Sequence, residues 1–594
     1  MEKINFRIKI LVYIFIAAWI ILLVRIYAIS IKNHDYYNLL AQKNIIKNVI
    51  KAPFRGIIKD RNGTPVAINK LGFSISLDPY LKPAALEKQV DSITYFFKDL
   101  SKDTLIKNYM KKKSPYNHDP IQVVPFVDYD LMQKYYTYLA QNKEIVIEPT
   151  SKRYYPFKSS GSHVIGYIGA SDERDISENI VSKYTGIVGR TGLEKEYNSF
   201  LQGEIGEKIV VVDAHNRVIR TESKKDSVSQ KDLTITLDMR LQEVANKAFE
   251  RNQKNGALIV MDVHNGEILA AGSYPEYDLN DFVGGISHTK WNILQQDLAN
   301  PLLNKLVNSV YAPGSVVKMG VALALLEYAG INELTQIDTP GFIELGGRKF
   351  RDWKPQGHGK TDVIKAIRES VDVYFYRLSQ QANMSNIANV LSQMGFGKKT
   401  GVDLPNEFVG ILPSPEWKMN KGLVWYLGDT VVTSIGQGSF LVTPMQIARY
   451  TALMASSSLI TPHFIKSDQD IFVKKDVLNS FQKSKLKFIQ EGMHQACSAQ
   501  SGTARRAVLD VKVSIACKTG TAQVVSIPQN IKVRIKESDL PYYHRSHAWI
   551  TGYVPYKNPK YAITVFIEHG ESGGNAGPIM VEVANALKKY GYIK

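Results

Sequence analysis

The stretch Tyr311-Ala-Pro-Gly-Ser315-Val-Val-Lys318, followed by the apolar run Met319-Gly-Val-Ala-Leu-Ala-Leu-Leu326, sets the reading of the chain. A Pro-Gly turn that ends in serine at a helix start puts Ser315 on the first turn, with Lys318 one turn along the same face. Hydroxyl and amine can therefore meet. Serine is a poor nucleophile at its own pKa and needs an adjacent base, and a lysine serves only where burial or a neighbouring cation lowers its pKa. Alone the pattern is weak, because Ser480 with Lys483 and Ser484 with Lys487 repeat it in a lysine-rich helix whose ordinary reading is a solvated face.

Two partners follow in order. Glu369-Ser370-Val-Asp372 sits at the start of a helical stretch with Tyr374, Phe375 and Tyr376, and Ala516-Cys-Lys518-Thr519-Gly520-Thr521-Ala-Gln523 lies between two strand-like runs. On an edge strand, Lys518 with the hydroxyls of Thr519 and Thr521 offers a cation and donors to a peptide carboxylate, while Gly520 lets a substrate backbone approach closely. Lys399-Thr400-Gly401 is a decoy in a loop-like setting. Each segment also has an ordinary structural reading: Ser370 as a helix cap, Lys518 as a surface lysine, Ser315 as a cap after a turn.

Outward from these segments, Leu233 to Leu237 alternates like an opening strand and Arg240 to Glu250 has helical spacing. Ala257 to Asp262, Asn265-Gly266 and Glu267 to Ala271 read as a β-hairpin. Val511 to Ala516, Ala548 to Gly552 and Tyr561 to Glu568 read as strands, and Val316 to Tyr328, Val363 to Gln380 and Met445 to Ala455 as helices. Strands at both ends with helices between predict an α+β domain over 233–594 whose sheet is closed by its two termini. Residues 30–220 are β-flavoured and turn-rich, and the polar stretch 221–232 reads as a linker.

The chain has 594 residues, 44% hydrophobic and 22% charged, with a formal charge of +18. Its lysines are scattered rather than gathered with interleaved aromatics, which argues against a nucleic-acid partner. Lys3, Arg7 and Lys9 precede an apolar run, Ile10 to Ile29, interrupted only by Arg25. That run predicts an uncleaved transmembrane anchor with residues 1–9 cytoplasmic and the remainder beyond the membrane. Cys497 and Cys517 are the only cysteines; they exclude a disulfide framework and a cysteine zinc cluster, and buried free thiols are expected, with a single bridge between the two left open.

Ser-x-x-Lys, a Ser-x-Asn type triad and Lys-Thr-Gly in this order are the signature of penicillin-binding proteins and class A β-lactamases, and the chain resembles that family. Arg55-Gly-Ile-Ile-Lys-Asp60-Arg-Asn-Gly63, Arg153-Tyr-Tyr-Pro156, Gly189-Arg-Thr-Gly-Leu-Glu194 and Gly436-Gln-Gly438 look like class B motifs, the first three from the pedestal (dimerisation-type) module. Asp352-Trp-Lys-Pro-Gln-Gly357-His358-Gly359, and Asp372 where most relatives have asparagine, resemble the elongation-type, penicillin-binding protein 2-like branch.

The resemblance implies a β-lactamase-like antiparallel sheet flanked by helices and a serine-type D-Ala-D-Ala transpeptidase that cross-links peptidoglycan stem peptides, with carboxypeptidase activity open to the same site. Ser315, Lys318, Ser370 and Lys518 would be catalytic, and Asp372, Thr519, Gly520 and Thr521 would bind substrate, with the N–H groups of Ser315 and Thr521 as oxyanion hole. It further implies β-lactam antibiotics as ligands, a SEDS-family glycosyltransferase and other elongation-complex membrane proteins as partners, and the cell inner membrane as location with a periplasmic catalytic domain. A division-type enzyme stays open, as does a penicillin-sensing receptor or β-lactamase, which would not need the pedestal. Some elongation-type relatives resemble zinc proteins with an Asp, Asp, His, Cys set. Asp338, Asp352 and His358 fall at three of those positions, and Val371, which cannot ligate, at the fourth. A closed zinc site wants four ligands, so a hydrogen-bonded loop without metal is expected, and no cofactor.

Overall fold

A helix, α1, runs from Glu2 to Tyr27 and continues through a wider-wound turn at Ala28–Lys32. The computed structural model describes residues 2–117, 119–212, 218–228, 232–467, 473–525 and 536–594. Ile4–Lys32 spans 29 residues at a mean hydropathy of 2.5 with none of its apolar window buried, so it is long and apolar enough to cross a membrane.

The region that follows is built on a 13-residue strand, Pro65–Leu77. It pairs antiparallel with Ile121–Asp128 on one edge and Ile145–Tyr154 on the other. Helices Pro83–Phe96 and Lys102–Lys112 cover it, burying Ile75, Leu77, Val90, Ile93 and Tyr109 in one apolar cluster. Three of the sequence motifs meet beside it. Arg55 Nε donates to Glu194 Oε2 at 2.7 Å, Arg153 Nε to Glu194 Oε1 at 2.8 Å, and Tyr155 Oη to the same Oε1 at 3.1 Å. Burial pushes the Glu194 carboxyl up, but the two guanidiniums outweigh it and hold the group below the usual range.

The polar stretch read as a linker is partly strand. Val218–Lys225 pairs antiparallel with Gly206–Val212, which in turn pairs with Ile46–Lys51. Glu207, Lys208 and Ile209 face Lys225, Lys224 and Ser223 there, so polar composition reflects an exposed ribbon rather than a loose chain. Residues 229–231 of that stretch lie outside the described residues. Leu233–Thr234 then pairs with Ile58–Lys59, returning the chain to the first region before helix α2, Met239–Asn252.

Five strands form the second region's sheet: β1 Gly256–Asp262, β2 Ile268–Tyr274, β3 Ala516–Ala522, β4 His547–Val554 and β5 Tyr561–Ile567. All pairings are antiparallel in the order β2-β1-β5-β4-β3, so strands from the two ends of this region do close one sheet. Side chains alternate faces along a strand, and β1 buries both. Ala257, Ile259 and Met261 enter the larger core with α3 (Lys318–Tyr328) and α5 (Pro444–Ser456). Leu258 and Val260 enter the other, with α2 and α7 (Gly577–Lys589).

Three local expectations need correction. The helix read over Val363 to Gln380 is two helices, Val363–Arg368 and α4, Asp372–Ala382, broken where Ser370 takes φ of 56°. The strand read over Val511 to Ala516 starts later: residues 511–515 are irregular and β3 begins at Ala516, with Lys518 on an edge strand as expected. Cys497, near the end of α6 (Ser480–Ser498), and Cys517 on β3 are not free thiols but a disulfide, with Cα atoms 5.9 Å apart. That separation falls in the range a bridge requires, and packing α6 on β3 creates it; 20 residues of sequence separation could not reveal it.

Candidate active site

Ser315 lies on a 3-10 turn, Gly314–Val317, that leads into α3, rather than on the α-helix itself. Two hydrogen bonds between Tyr311 and Val442, each 2.9 Å, and one from Trp549 Nε1 to Ala312 O at 3.0 Å hold the turn against neighbouring elements. Gly314 takes φ of 56°, and a Cβ there would sit 2.7 Å from Thr521 O, so only glycine lets the turn touch β3 this closely. The other side of the contact is Gly520, where a Cβ would meet Val316 Cγ1 at 2.9 Å. Gln437, between the two glycines of Gly436-Gln-Gly438, completes the junction by donating Nε2 to Thr521 O at 3.0 Å.

The three segments converge. Lys318, with no exposed side chain, donates to Ser370 O at 2.9 Å, to Ser370 Oγ at 3.4 Å and to Asp372 Oδ1 at 2.6 Å. Lys518 Nζ, also fully buried, donates to the same Ser370 Oγ at 2.7 Å and to Thr519 O at 2.9 Å. Ser370 is thus shared by both ammonium groups, and its left-handed backbone aims Oγ and carbonyl together at Lys318. Ser315 Oγ makes no hydrogen bond among the described residues, so the direct meeting with Lys318 foreseen from their spacing is replaced by the Lys318–Asp372 pair.

Burial drives the Lys518 ammonium well below the ordinary lysine range, and the like charge of Lys318 adds to it while Asp372 opposes. Burial also raises the Asp372 carboxyl, against the pull of Lys318. Such a cluster, two cations and one carboxylate around a serine hydroxyl, can pass a proton along short hydrogen bonds beside a nucleophile. Thr519 Oγ1 donates to Thr503 Oγ1 at 2.8 Å, and Thr521 Oγ1 accepts from Gly573 N at 3.2 Å. The second and third expected motifs therefore stand where the first one is, and none of the three look-alike patterns does. Lys483 binds Asp476 on the surface, while Thr400 donates N at 2.6 Å and Oγ1 at 2.5 Å to Glu407.

Sequence reading missed Thr503 and the support behind Ser370. His358 Nδ1 meets Glu369 Oε2 at 2.9 Å and Nε2 meets Asp352 Oδ1 at 3.1 Å, while Asp352 Oδ2 accepts Val373 N at 3.0 Å. Burial lowers the imidazole, but hydrogen bonds from Asp352 and Glu369 more than reverse it and raise His358 above its usual value. Asp338 is exposed on the short strand Ile337–Thr339, whose Thr339 O accepts from His358 N at 2.8 Å. Asp352 and His358, which fall where some relatives carry metal ligands, were expected in a hydrogen-bonded loop, and His358 bonds to Asp352 and to Glu369. The repeat of acids and histidine before the second motif was the available signal for the cluster, and nothing local signals Thr503.

With this geometry in hand, the chain was compared with known proteins. Residues 256–587 match the penicillin binding protein transpeptidase domain and residues 50–235 the penicillin-binding protein dimerisation domain. The peptidoglycan D,D-transpeptidase MrdA of Haemophilus influenzae is 32% identical over 583 residues, 95% of this chain and 88% of the relative. Among solved structures, the complex between penicillin-binding protein 2 and MreC from Helicobacter pylori aligns at a TM-score of 0.85 and 48% identity, covering 92% of this chain and all of that one. A chain from a peptidoglycan synthase complex, described as coordinating polymerisation and crosslinking, aligns at 0.73 and 26% identity over 99% of both.

Proposed function

Since this chain belongs to the penicillin-binding transpeptidases with a dimerisation domain and is a peptidoglycan D,D-transpeptidase of elongation type, we propose that Ser315 is its acylated nucleophile, served by Lys318, Ser370 and Lys518. The observation that carries this reading is the double donation of Lys318 and Lys518 to one Ser370 Oγ beside the Ser315 turn. Ser315 Oγ attacks the carbonyl of the penultimate D-alanine of a stem peptide and gives its proton to the lysine–serine relay. The N–H groups of Ser315 and Thr521 hold the oxyanion. The C–N bond breaks, the relay returns the proton to the leaving D-alanine amine, and an ester on Ser315 remains. An amine of a second stem peptide attacks that ester, loses a proton to the relay and frees the serine; water in its place gives carboxypeptidase activity.

Thr519, Thr521 and Lys518 bind the terminal carboxylate, and Gly520 gives the substrate backbone room. Asp372 sets the charge state around Lys318. Residues 30–220 form the pedestal and 233–594 the transpeptidase domain, on the far side of the inner membrane from Lys3, Arg7 and Lys9. Pedestal and anchor dock a SEDS-family glycosyltransferase, and an MreC-like protein joins them. Mass spectrometry after labelled penicillin should find one adduct, on Ser315. Adduct on Ser480 or Ser484, or adduct surviving Ser315→Ala, rejects the assignment. If deletion of 31–220 leaves both co-purification and activity of the polymerase unchanged, the docking fails.

A further inference from the structure

A cavity of about 560 Å3 opens between the hairpin Phe342–Leu345/Arg348–Arg351 and the segment from Pro413 to Gly428. Its walls include the half-buried indoles of Trp417 and Trp425 and the exposed phenol of Tyr426, with Arg348 above them. Thr433, Gly438 and Ser439 also line it. Gln437, next to Gly438 in sequence, bonds to Thr521 O, while Gly436 O accepts Gly314 N at 2.8 Å. The groove therefore adjoins the backbone that holds the Ser315 turn. It arrives by a different element from β3, which carries Thr519 and Thr521.

We propose that this groove binds the second substrate, the acceptor peptidoglycan strand, by stacking its sugar rings on Trp417, Trp425 and Tyr426 so that the stem amine reaches the Ser315 ester. The inference rests on the transpeptidase reading of Ser315. Flat aromatic faces interrupted by a few placed polar groups suit a ligand with apolar ring faces and polar edges. The charges at the groove fit the same ligand. Lys418 and Asp429 satisfy each other at 2.7 Å, whereas Arg348 on the wall forms no ion pair among the described residues. An unmatched cation is complementary to a carboxylate of a stem peptide. A donor peptide alone needs none of this, because its contacts lie on β3.

Binding is read first on Ser315→Ala protein, by the fluorescence change of its tryptophans on titration with a soluble disaccharide-tetrapeptide fragment. Saturable binding, weakened about tenfold by Tyr426→Ala and by Arg348→Glu, is expected. Binding equal to that of the sugar-free peptide, or unaffected by either change, overturns the groove. In otherwise native protein both substitutions should raise the acceptor KM about tenfold, with labelling by penicillin, which needs no acceptor, as the control for an intact site. An unchanged acceptor KM in both variants also overturns it. Absence of any Ser315 adduct in the native protein would instead reject the nucleophile assignment, leaving the binding titration to judge the groove by itself.

Discussion

Asp372 Oδ1 lies 2.6 Å from Lys318 Nζ. That carboxylate engages a donor of the ammonium, and burial raises its own titration toward the working range of the site. Asparagine at 372 keeps the shape and removes the charge. Asp372→Asn should therefore remove that titration and move the acidic limb of the penicillin acylation profile to lower pH, with the fold intact. Stopped-flow acylation across pH checks this, and a limb that stays put while acylation persists would leave Asp372 as a substrate contact only. His358 makes a second residue-scale prediction, about stability. Its folded-state value is raised, so its contribution is complete below the unfolded imidazole value near 6.5 and is lost as pH rises through the folded value. His358→Gln should cost roughly 3 kcal/mol in acid and progressively less toward alkaline pH, read from unfolding midpoints of both proteins. The three segments that meet around Ser370 were legible because each is a short local pattern. The imidazole between Asp352 and Glu369 was not, since its partners are fixed only once a hairpin folds over the Ser370 turn.

At the scale of elements, β3 has one hydrogen-bonded neighbour, β4, and its other edge faces the Ser315 turn. The disulfide from Cys517 to Cys497 ties this strand to α6 one residue before Lys518. Closing a loop of this length stabilises by roughly 3 kcal/mol. Reduction, or Cys497→Ser, should lower the unfolding midpoint and slow acylation; a thiol titration finding two free cysteines in unreduced protein would contradict the bridge. Strand types were readable where an apolar run was continuous, as in β1, β4 and β5, and Lys518 was placed on its edge strand from its motif. The bounds failed at Val511 and at Ser370. Lys518-Thr519-Gly520 lacks apolar alternation yet is strand because β4 pairs with it, and the run through Ser370 has helical periodicity yet is broken by a single positive φ.

For the whole molecule, the two-part organisation was visible as a change from turn-rich to helix-rich sequence. The ribbon over 218–225 was hidden because a solvated strand and a linker share a polar composition. The three pedestal motifs lie far apart in sequence and close on one carboxylate, Glu194, so their purpose emerges only in space. Removing the anchor should leave penicillin labelling of the soluble remainder unchanged and sharply reduce cross-linking of polymer made at a membrane, measured as muropeptide dimers. The reason lies in Ile4–Lys32, the one helix among the described residues that is long and apolar enough to cross a membrane. A catalyst on a single leash searches a thin sheet rather than a volume, so its encounter rate with membrane-borne strands follows from the reach of its stalk rather than from the number of copies in the cell.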